Sequence, residues 1–227
     1  MDPAEIHMLP AAFSQPRFQT FLNACDGDVK CAMRLYSWNI ELSGAFWGPL
    51  HVLEIVMRNV IHSQLASKFK RDDWWEHPDI RFSRENDKDL KNAKASAEHN
   101  ARGRRRAVRP TDVMSSLNFA FWTSLTGPGG SAQYETKLWQ PAIVKAFPRL
   151  TGTRADLNYD LNYLRLLRNR IAHHEPIFNG DHLEDRQKII NILHYANEPS
   201  GKYVAESDRI RAVLSRREAA LAGDCSF

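Results

Sequence analysis

The sequence lacks the features that mark membrane, secreted or sheet-built proteins. No stretch approaches the roughly 18 uninterrupted apolar residues of a membrane-spanning helix. The first residues carry an early acid and prolines without an apolar core, so we expect no signal peptide and a cytoplasmic location. Cys25, Cys31 and Cys225 are odd in number and lack metal-ligand spacing, which favours reduced thiols over a disulfide scaffold. No segment alternates with the period of two that a strand requires.

What the sequence has is material for one globular helical domain. Its 227 residues are 43% hydrophobic and 26% charged, with six Trp and eleven Phe for a core. We predict an all-α protein with a single domain over residues 1–227, in which residues 1–15 are loosely ordered and residues 70–110 form a basic insertion or arm. The net charge of +4 suits a polyanionic partner, although chance explains it equally well.

A helix before Pro176 dominates the sequence. Its apolar residues fall on one stripe at helical spacing: Leu157, Leu161, Leu164, Leu167 and Ile171. Beside that stripe, Arg165, Asn169 and His173 form a polar strip, and Pro176 is expected to stop the helix. Arg168 lies between the strips, about 140° from His173 on a regular helix. Two copies meeting across a two-fold axis would bring an Arg and a His from each chain together, so we expect a homodimer.

Four segments carry a family resemblance. Arg168-Asn169-x-x-x-His173 resembles the R-N-x-x-x-H signature of HEPN-domain ribonucleases, and the run from Leu167 to Phe178 resembles the C-terminal motif of Abi-like (AbiD/AbiF) abortive-infection proteins in that superfamily. Residues 36–43, 53–59 and 117–125 are similar to further segments of the same family, in the expected order. The resemblance implies a HEPN-like helical bundle with additional helices.

The resemblance also implies a chemistry. It points to a metal-independent endoribonuclease, without a cofactor, that leaves 2′,3′-cyclic phosphate and 5′-hydroxyl ends and acts as an anti-phage toxin. Histidine serves as acid or base near neutral pH, and arginine grips phosphate through its planar fork. His173 is then the general acid/base, Arg168 the phosphate clamp and Asn169 the orienting residue, with Arg165 and His174 in support.

Alternatives to catalysis remain open for this polar cluster. A helix C-terminus attracts cationic side chains for purely structural reasons. The fold could also bind RNA without cutting it, or act as a helical scaffold in a defence or toxin–antitoxin system. A metal site from His173, His174 and Glu175 is disfavoured, because adjacent helical residues diverge.

Two further polar groups are candidate supporting residues. Glu54, Arg58 and His62 recur at every fourth position of an apolar helix, where Glu54 and Arg58 either pair with each other or orient the motif helix. A cluster of five arginines forms either a solvated loop or an arm for RNA phosphates: Arg102, Arg104, Arg105, Arg106 and Arg109. We call these five the arginine cluster. A toxin of this kind needs a restraint, either a neutralising RNA or an antitoxin protein, and the arginine cluster suits the RNA.

Local signals predict the remaining elements. Asp28 is expected to cap a helix from Val29, and Gly48-Pro49 to break or kink it and start another. Helices are predicted near 17–25, 83–100, 183–195 and 206–221, and a helix over 132–147 is expected to bend at Pro141. Thr111 or Asp112 is expected to cap a helix that starts at Pro110. The glycine-rich loop 127–130 lacks the lysine and hydroxyl of a phosphate-binding loop.

Overall fold

The protein is all-helical wherever its structure is described. The computed structural model describes residues 8–9, 11–13 and 15–225, and no strand occurs in them; most of the predicted loose segment 1–15 lies outside this part. We number the α-helices in chain order: α1 Gln15–Ala24, α2 Val29–Phe69, α3 Arg84–Gly103, α4 Pro110–Ser116, α5 Phe119–Ser124, α6 Arg154–Ala172, α7 His182–Ala196, α8 Glu198–Ser207, α9 Ile210–Ser215 and α10 Arg217–Ala222.

The chain forms two compact units. The first comprises the chain up to His51, Leu166–Lys188 and the chain from Val204; the second comprises Val52–Arg165 and Ile189–Tyr203. Helices α2, α6, α7 and α8 each contribute residues to both units, so the single domain expected from the sequence stays a prediction. Across residues 8–9, 11–13 and 15–225, no helix is both long and apolar enough to cross a membrane.

Helix α2 runs through Pro49 without a break. The predicted start of a second helix there is therefore wrong, because Val29–Phe69 is a single helix of 41 residues. A proline inside a helix costs about 3 kcal/mol. Phe46, Leu50 and Leu53 flank it and are fully buried, and each such side chain contributes about 1.5–3 kcal/mol on burial. Packing on both sides of the proline thus outweighs the lost hydrogen bond.

The turn between α1 and α2 joins two cysteines. Asp28 caps α2 as predicted, since its Oδ1 accepts hydrogen bonds from the backbone N–H groups of Lys30 (2.8 Å) and Cys31 (3.1 Å). The same turn brings the Cα atoms of Cys25 and Cys31 to 5.8 Å, and their sulfurs form a disulfide. The expectation of reduced cysteines is therefore wrong for this pair, whereas Cys225 is a free, exposed thiol.

Long-range polar contacts hold the first unit together. The Trp38 indole N–H donates to the Val213 carbonyl at 3.0 Å, and an Arg216 Nη lies 2.6 Å from a Glu41 carboxylate oxygen. Arg186 grips the buried Asp208 carboxylate through Nε and Nη2 at 2.8–3.0 Å. These contacts pack α9 and the chain around it against the N-terminal half of α2 and α7.

In the second unit, helix α3 is packed rather than projecting. Its polar sequence agrees with the predicted helix near 83–100, and Leu90, Ala93, Ala97 and Ala101 form its buried stripe. The Tyr134 hydroxyl accepts from the Ser83 backbone N–H and the Asn86 amide, both at 2.9 Å. Residues 84–103 of the predicted basic insertion are therefore an integral part of this unit.

Two predicted helices are subdivided in the structure. In place of one bent helix over 132–147, a π-helix at Glu135–Trp139 and a 3-10 helix at Ile143–Ala146 lie on either side of Pro141. The helix predicted over 206–221 is divided among α8, α9 and α10, since the Asp208 side chain accepts from the Ile210 N–H and starts a new helix.

Two adjacent glycines in the loop before Tyr134 have different space for a side chain, so replacing each of them tests the packing there. Both have positive φ, +69° at Gly129 and +54° at Gly130, so alanine is strained at either by about 1–2 kcal/mol. A Cβ at Gly129 would lie 2.3 Å from the buried Tyr134 ring, whereas one at Gly130 meets nothing within 4 Å. We expect Gly129→Ala to lower the urea midpoint clearly more than Gly130→Ala. Equal losses would show that the Tyr134 ring moves freely.

Candidate functional site

The motif helix has the predicted apolar stripe but a different ending. Leu157, Leu161 and Leu164 are buried, as are Leu167 and Ile171. The helix stops at Ala172, four residues before Pro176. The backbone N–H of Glu175 donates to the Arg170 carbonyl (2.8 Å) and that of His174 to the Ile171 carbonyl (3.1 Å), with His174 at φ +57°. This is a Schellman cap, so proline is not what terminates the helix.

Other non-glycine residues in this chain also adopt the left-handed backbone conformation just after a helix. Asp26, Lys70 and Arg105 have φ between +50° and +55°, and each lies just beyond the end of a helix, as His174 does. Lys70, Arg105 and His174 also place cationic or protonatable side chains where the helix dipole favours them. The conformation of His174 is therefore explained by helix termination alone.

The side chains of the motif lie at the surface of the first unit. Arg168 and Asn169 are half-buried, and His173 and His174 are exposed. The Asn169 amide and both imidazoles make no hydrogen bond within the described residues. Solvent or a ligand can therefore reach the groups proposed to orient the substrate and transfer protons.

Arg168 lies over an exposed tryptophan that sequence reasoning did not single out. Its guanidinium carbon is 5.7 Å from the centroid of the Trp47 ring, and Trp47 is 47% exposed. Such a contact is worth about 0.5–1 kcal/mol at an exposed site and restrains the guanidinium plane. The sequence offered one signal: Trp47 lies one position off the helical spacing of Phe46, Leu50 and Leu53, so it faces away from that stripe.

The chain after the motif is held by the N-terminal helices of the same unit. The backbone N–H of Ile177 donates to Oδ1 of the buried Asn39 at 2.7 Å, and the Phe178 ring lies 5.1 Å from that of Phe21. The Arg170 guanidinium also donates to the Pro176 carbonyl. Residues 36–43 and 167–178, two of the segments that carry the family resemblance, are thus in direct contact.

Helix α6 presents a second face to solvent. Tyr159, Tyr163 and Leu166 are 69%, 38% and 53% exposed, and the same alternating spacing of four and three residues leads on to Arg170 and His173. That spacing is typical of a helix that packs on a partner helix. Such a row of exposed apolar side chains is a candidate interaction surface.

The predicted supporting residues have local partners in the second unit. Arg58 donates to the Asn59 side chain at 3.4 Å, and Arg165 donates to that of Asn162 at the same distance. Glu54 is half-buried on α2. Neither the Glu54–Arg58 pair nor an orienting role toward the motif helix is tested by these contacts, and both stay predictions.

His62, the third residue of that strip, has a structural partner. Its Nδ1 accepts a hydrogen bond from the indole N–H of the buried Trp74 at 3.2 Å. Burial lowers the pKa of His62 below its ordinary value, Asp72 opposes this shift, and Arg58 adds to it. A protonated Nδ1 could not accept this hydrogen bond.

The arginine cluster divides into structural and exposed members. Arg106 binds Asp112 through both Nη atoms at 2.5 and 2.7 Å, which holds the pKa of that carboxyl well below its usual range. Asp112 also accepts from the Arg109 backbone N–H at 2.9 Å, where the sequence predicted a cap for α4. Arg106 therefore anchors the turn before α4 and is poorly placed as a phosphate ligand.

The other members of the arginine cluster are exposed. Arg102 lies 3.3 Å from Glu98, and Arg109 lies 3.8 Å from Asp112. Arg104 and Arg105 form no ion pair in the described part of the chain. Both remain available to an anionic ligand, and Arg102 and Arg109 can exchange a weak surface partner for a phosphate.

Comparisons with protein-family models, curated proteins and solved structures found no match to this chain. Within residues 8–9, 11–13 and 15–225, no group of three or more His, Cys, Asp and Glu side chains is placed to hold a metal ion.

The lowered pKa of His62 predicts a pH dependence of stability. The unfolded chain takes up this proton near pH 6.5 and the folded protein resists it, so stability is lost as the pH falls below about 6.5. His62→Asn keeps an acceptor for Trp74 without the titration. Between pH 7.5 and 5.5 the urea midpoint of the wild type should fall more than that of His62→Asn. Parallel curves would contradict this role of His62.

Proposed function

We propose that the protein is a metal-independent endoribonuclease of the HEPN type, active as a homodimer. The observation that carries the proposal is the group of side chains at the end of α6. A half-buried arginine stacked on an exposed tryptophan, a half-buried amide and an exposed imidazole lie within six residues of one helix: Arg168, Asn169 and His173. They span about 7.5 Å along the helix axis.

These groups suit in-line cleavage of RNA. A neutral imidazole takes the proton of the 2′-hydroxyl, and the 2′-oxygen attacks the adjacent phosphorus. The bond from phosphorus to the 5′-oxygen breaks, and an imidazolium protonates that oxygen. The products are a 2′,3′-cyclic phosphate and a 5′-hydroxyl. Arg168 stabilises the charge on the phosphoryl oxygens, Asn169 orients His173 or the backbone, and a base stacks on Trp47.

One chain supplies only one His173, and the mechanism uses an acid and a base. A two-fold dimer through the exposed face of α6 would bring a second Arg168 and a second His173 to the same cleft. Leu166, 53% exposed in the first unit, supplies an apolar side chain for such a contact. The cut RNA would then lie across the interface.

The biological role rests on the resemblance to Abi-like proteins. An abortive-infection toxin cuts host or phage RNA and halts growth, and such an enzyme needs a restraint. The exposed arginines 102, 104, 105 and 109 suit a neutralising RNA, while an antitoxin protein is the other option. A cytoplasmic location is part of the same proposal.

The first test is cleavage of a mixed RNA pool in the presence of EDTA, followed by analysis of the RNA ends. We expect the wild type to cut and His173→Ala to lose at least about 100-fold in rate, as general acid–base catalysis contributes that much or more. His51→Ala, which removes another exposed imidazole of the first unit, should cut like the wild type.

The end groups separate this chemistry from its rivals. Cyclic phosphate ends in the products of the wild type and of His51→Ala, but not of His173→Ala, would support the nuclease. Binding without cleavage by all three proteins would support the RNA-binding module. A growth phenotype that survives His173→Ala would support the scaffold.

The dimer is tested with a matched pair of exposed leucines. Leu166 is 53% and Leu183 is 55% exposed, both in the first unit, and only Leu166 lies on the face of α6 that ends at His173. We expect sedimentation to show a dimer for the wild type and Leu183→Glu, and a monomer with lost cleavage for Leu166→Glu. A monomeric wild type that still cuts would overturn the shared cleft.

A further inference from the structure

Three cavities in the second unit adjoin one another through shared lining residues, and we call them together the groove. The first, about 370 Å³, is lined by Arg81 and Lys137, among others. The second, about 490 Å³, shares Arg81 with the first and adds Trp75. The third, about 250 Å³, shares Trp75 and Lys94 with the second and reaches Arg109 at the edge of the arginine cluster. The shared lining residues place the three cavities next to one another between Lys137 and Arg109.

The balance of unpaired charge in this groove favours an anion. Arg81, Lys91 and Lys137 are exposed, and none forms an ion pair in the described part of the chain. Five carboxylates also line the groove, but three already have a cationic partner: Asp73 with Arg71, Glu76 with Lys94, and Glu98 with Arg102. The other two carboxylates, Asp79 and Asp87, oppose an anion, so the three unpaired cations exceed them by one charge.

The middle of the groove has an aromatic wall. Trp75 and Phe82 both line the second cavity, and both pack on the buried Trp74, with ring centroids 5.4 Å and 6.1 Å from it. Contact with Trp74 restrains both rings; Trp75 is buried, with only 6% exposed, whereas Phe82 is half-buried and offers the larger accessible aromatic surface. Restrained aromatic rings beside unpaired cations are the combination that binds single-stranded nucleic acid, since bases stack and phosphates pair.

We propose that this groove binds single-stranded RNA as a recognition site separate from the motif at the end of α6. Arg81, Lys91 and Lys137 contact phosphates, a base enters the cavity beside Trp75 and Phe82, and the strand continues toward Arg109. A cavity of this size admits a splayed base and excludes a duplex. The choice of RNA as the occupant rests on the proposed ribonuclease function.

The test compares two triple variants with equal loss of charge, both in a His173→Ala background that prevents cleavage. The groove variant is Arg81→Gln with Lys91→Gln and Lys137→Gln. The control is Lys68→Gln with Lys70→Gln and Lys145→Gln, three exposed lysines of the same unit outside the groove. Binding of a fluorescent 12-nucleotide RNA is followed by anisotropy at several salt concentrations, after circular dichroism confirms both folds.

The groove variant should bind at least about tenfold more weakly at 0.1 M salt, and the slope of log Kd against log salt should fall by about 2 for three lost phosphate contacts. The control should stay close to the parent protein. Photocrosslinking with 4-thiouridine RNA should modify the peptide that contains Trp75 and Phe82. Equal weakening in both variants, or crosslinks confined to other peptides, would overturn the groove.

Failure of the groove and failure of the nuclease give different results. If the protein with intact His173 cleaves RNA while both triple variants bind equally well, the groove alone is wrong. If that protein does not cleave and the groove variant still loses binding, the nuclease is wrong and the groove stands.

Discussion

Burial of one apolar stripe on each of helices α2 and α6 is the constraint on which the rest of the structure depends. On α2 the stripe continues through Leu50, Leu53 and Met57, and it keeps the helix intact across a proline. On α6 the stripe of leucines fixes which side chains face outward. Arg168 and Asn169 stay half-buried and His173 exposed because the apolar positions beside them are buried in the core.

The end of α6 is set by backbone hydrogen bonds rather than by its polar side chains. The Schellman cap at His174 satisfies carbonyls of the last turn, and the bond from Ile177 to Asn39 holds the chain that follows. The Asn169 amide and the His173 imidazole take no part in these bonds. A rigid scaffold that carries accessible side chains is the arrangement that binding and catalysis require.

The cationic side chains of the second unit also fall into two groups: those that form ion pairs within the fold, and those that are exposed and can meet a ligand. Arg106 belongs to the fold, since Asp112 holds it through two hydrogen bonds. Arg104, Arg105, Arg81 and Lys91 are exposed without such partners in the described residues. Counting arginines in the sequence therefore overstates the number that can meet a ligand.

Much of the fold follows from the sequence by itself. The all-helical class, the bounds of α1, α3 and α7 within a few residues, the apolar stripe of α6 and the cap at Asp28 depend on local spacing and propensity. Those signals act within one or two helical turns, which is why they can be read along the chain.

Only the tertiary structure decided the rest. It kept α2 continuous at Pro49, divided the segments 132–147 and 206–221, and joined Cys25 to Cys31. It also placed Trp47 beneath Arg168 and paired the Arg106 guanidinium with the Asp112 carboxylate. The continuity of α2 and the contact of Trp47 with Arg168 depend on packing between separate parts of the chain. The disulfide, the Arg106–Asp112 pair and the break at Asp208 are local, but spacing alone does not say which of several possible local contacts forms.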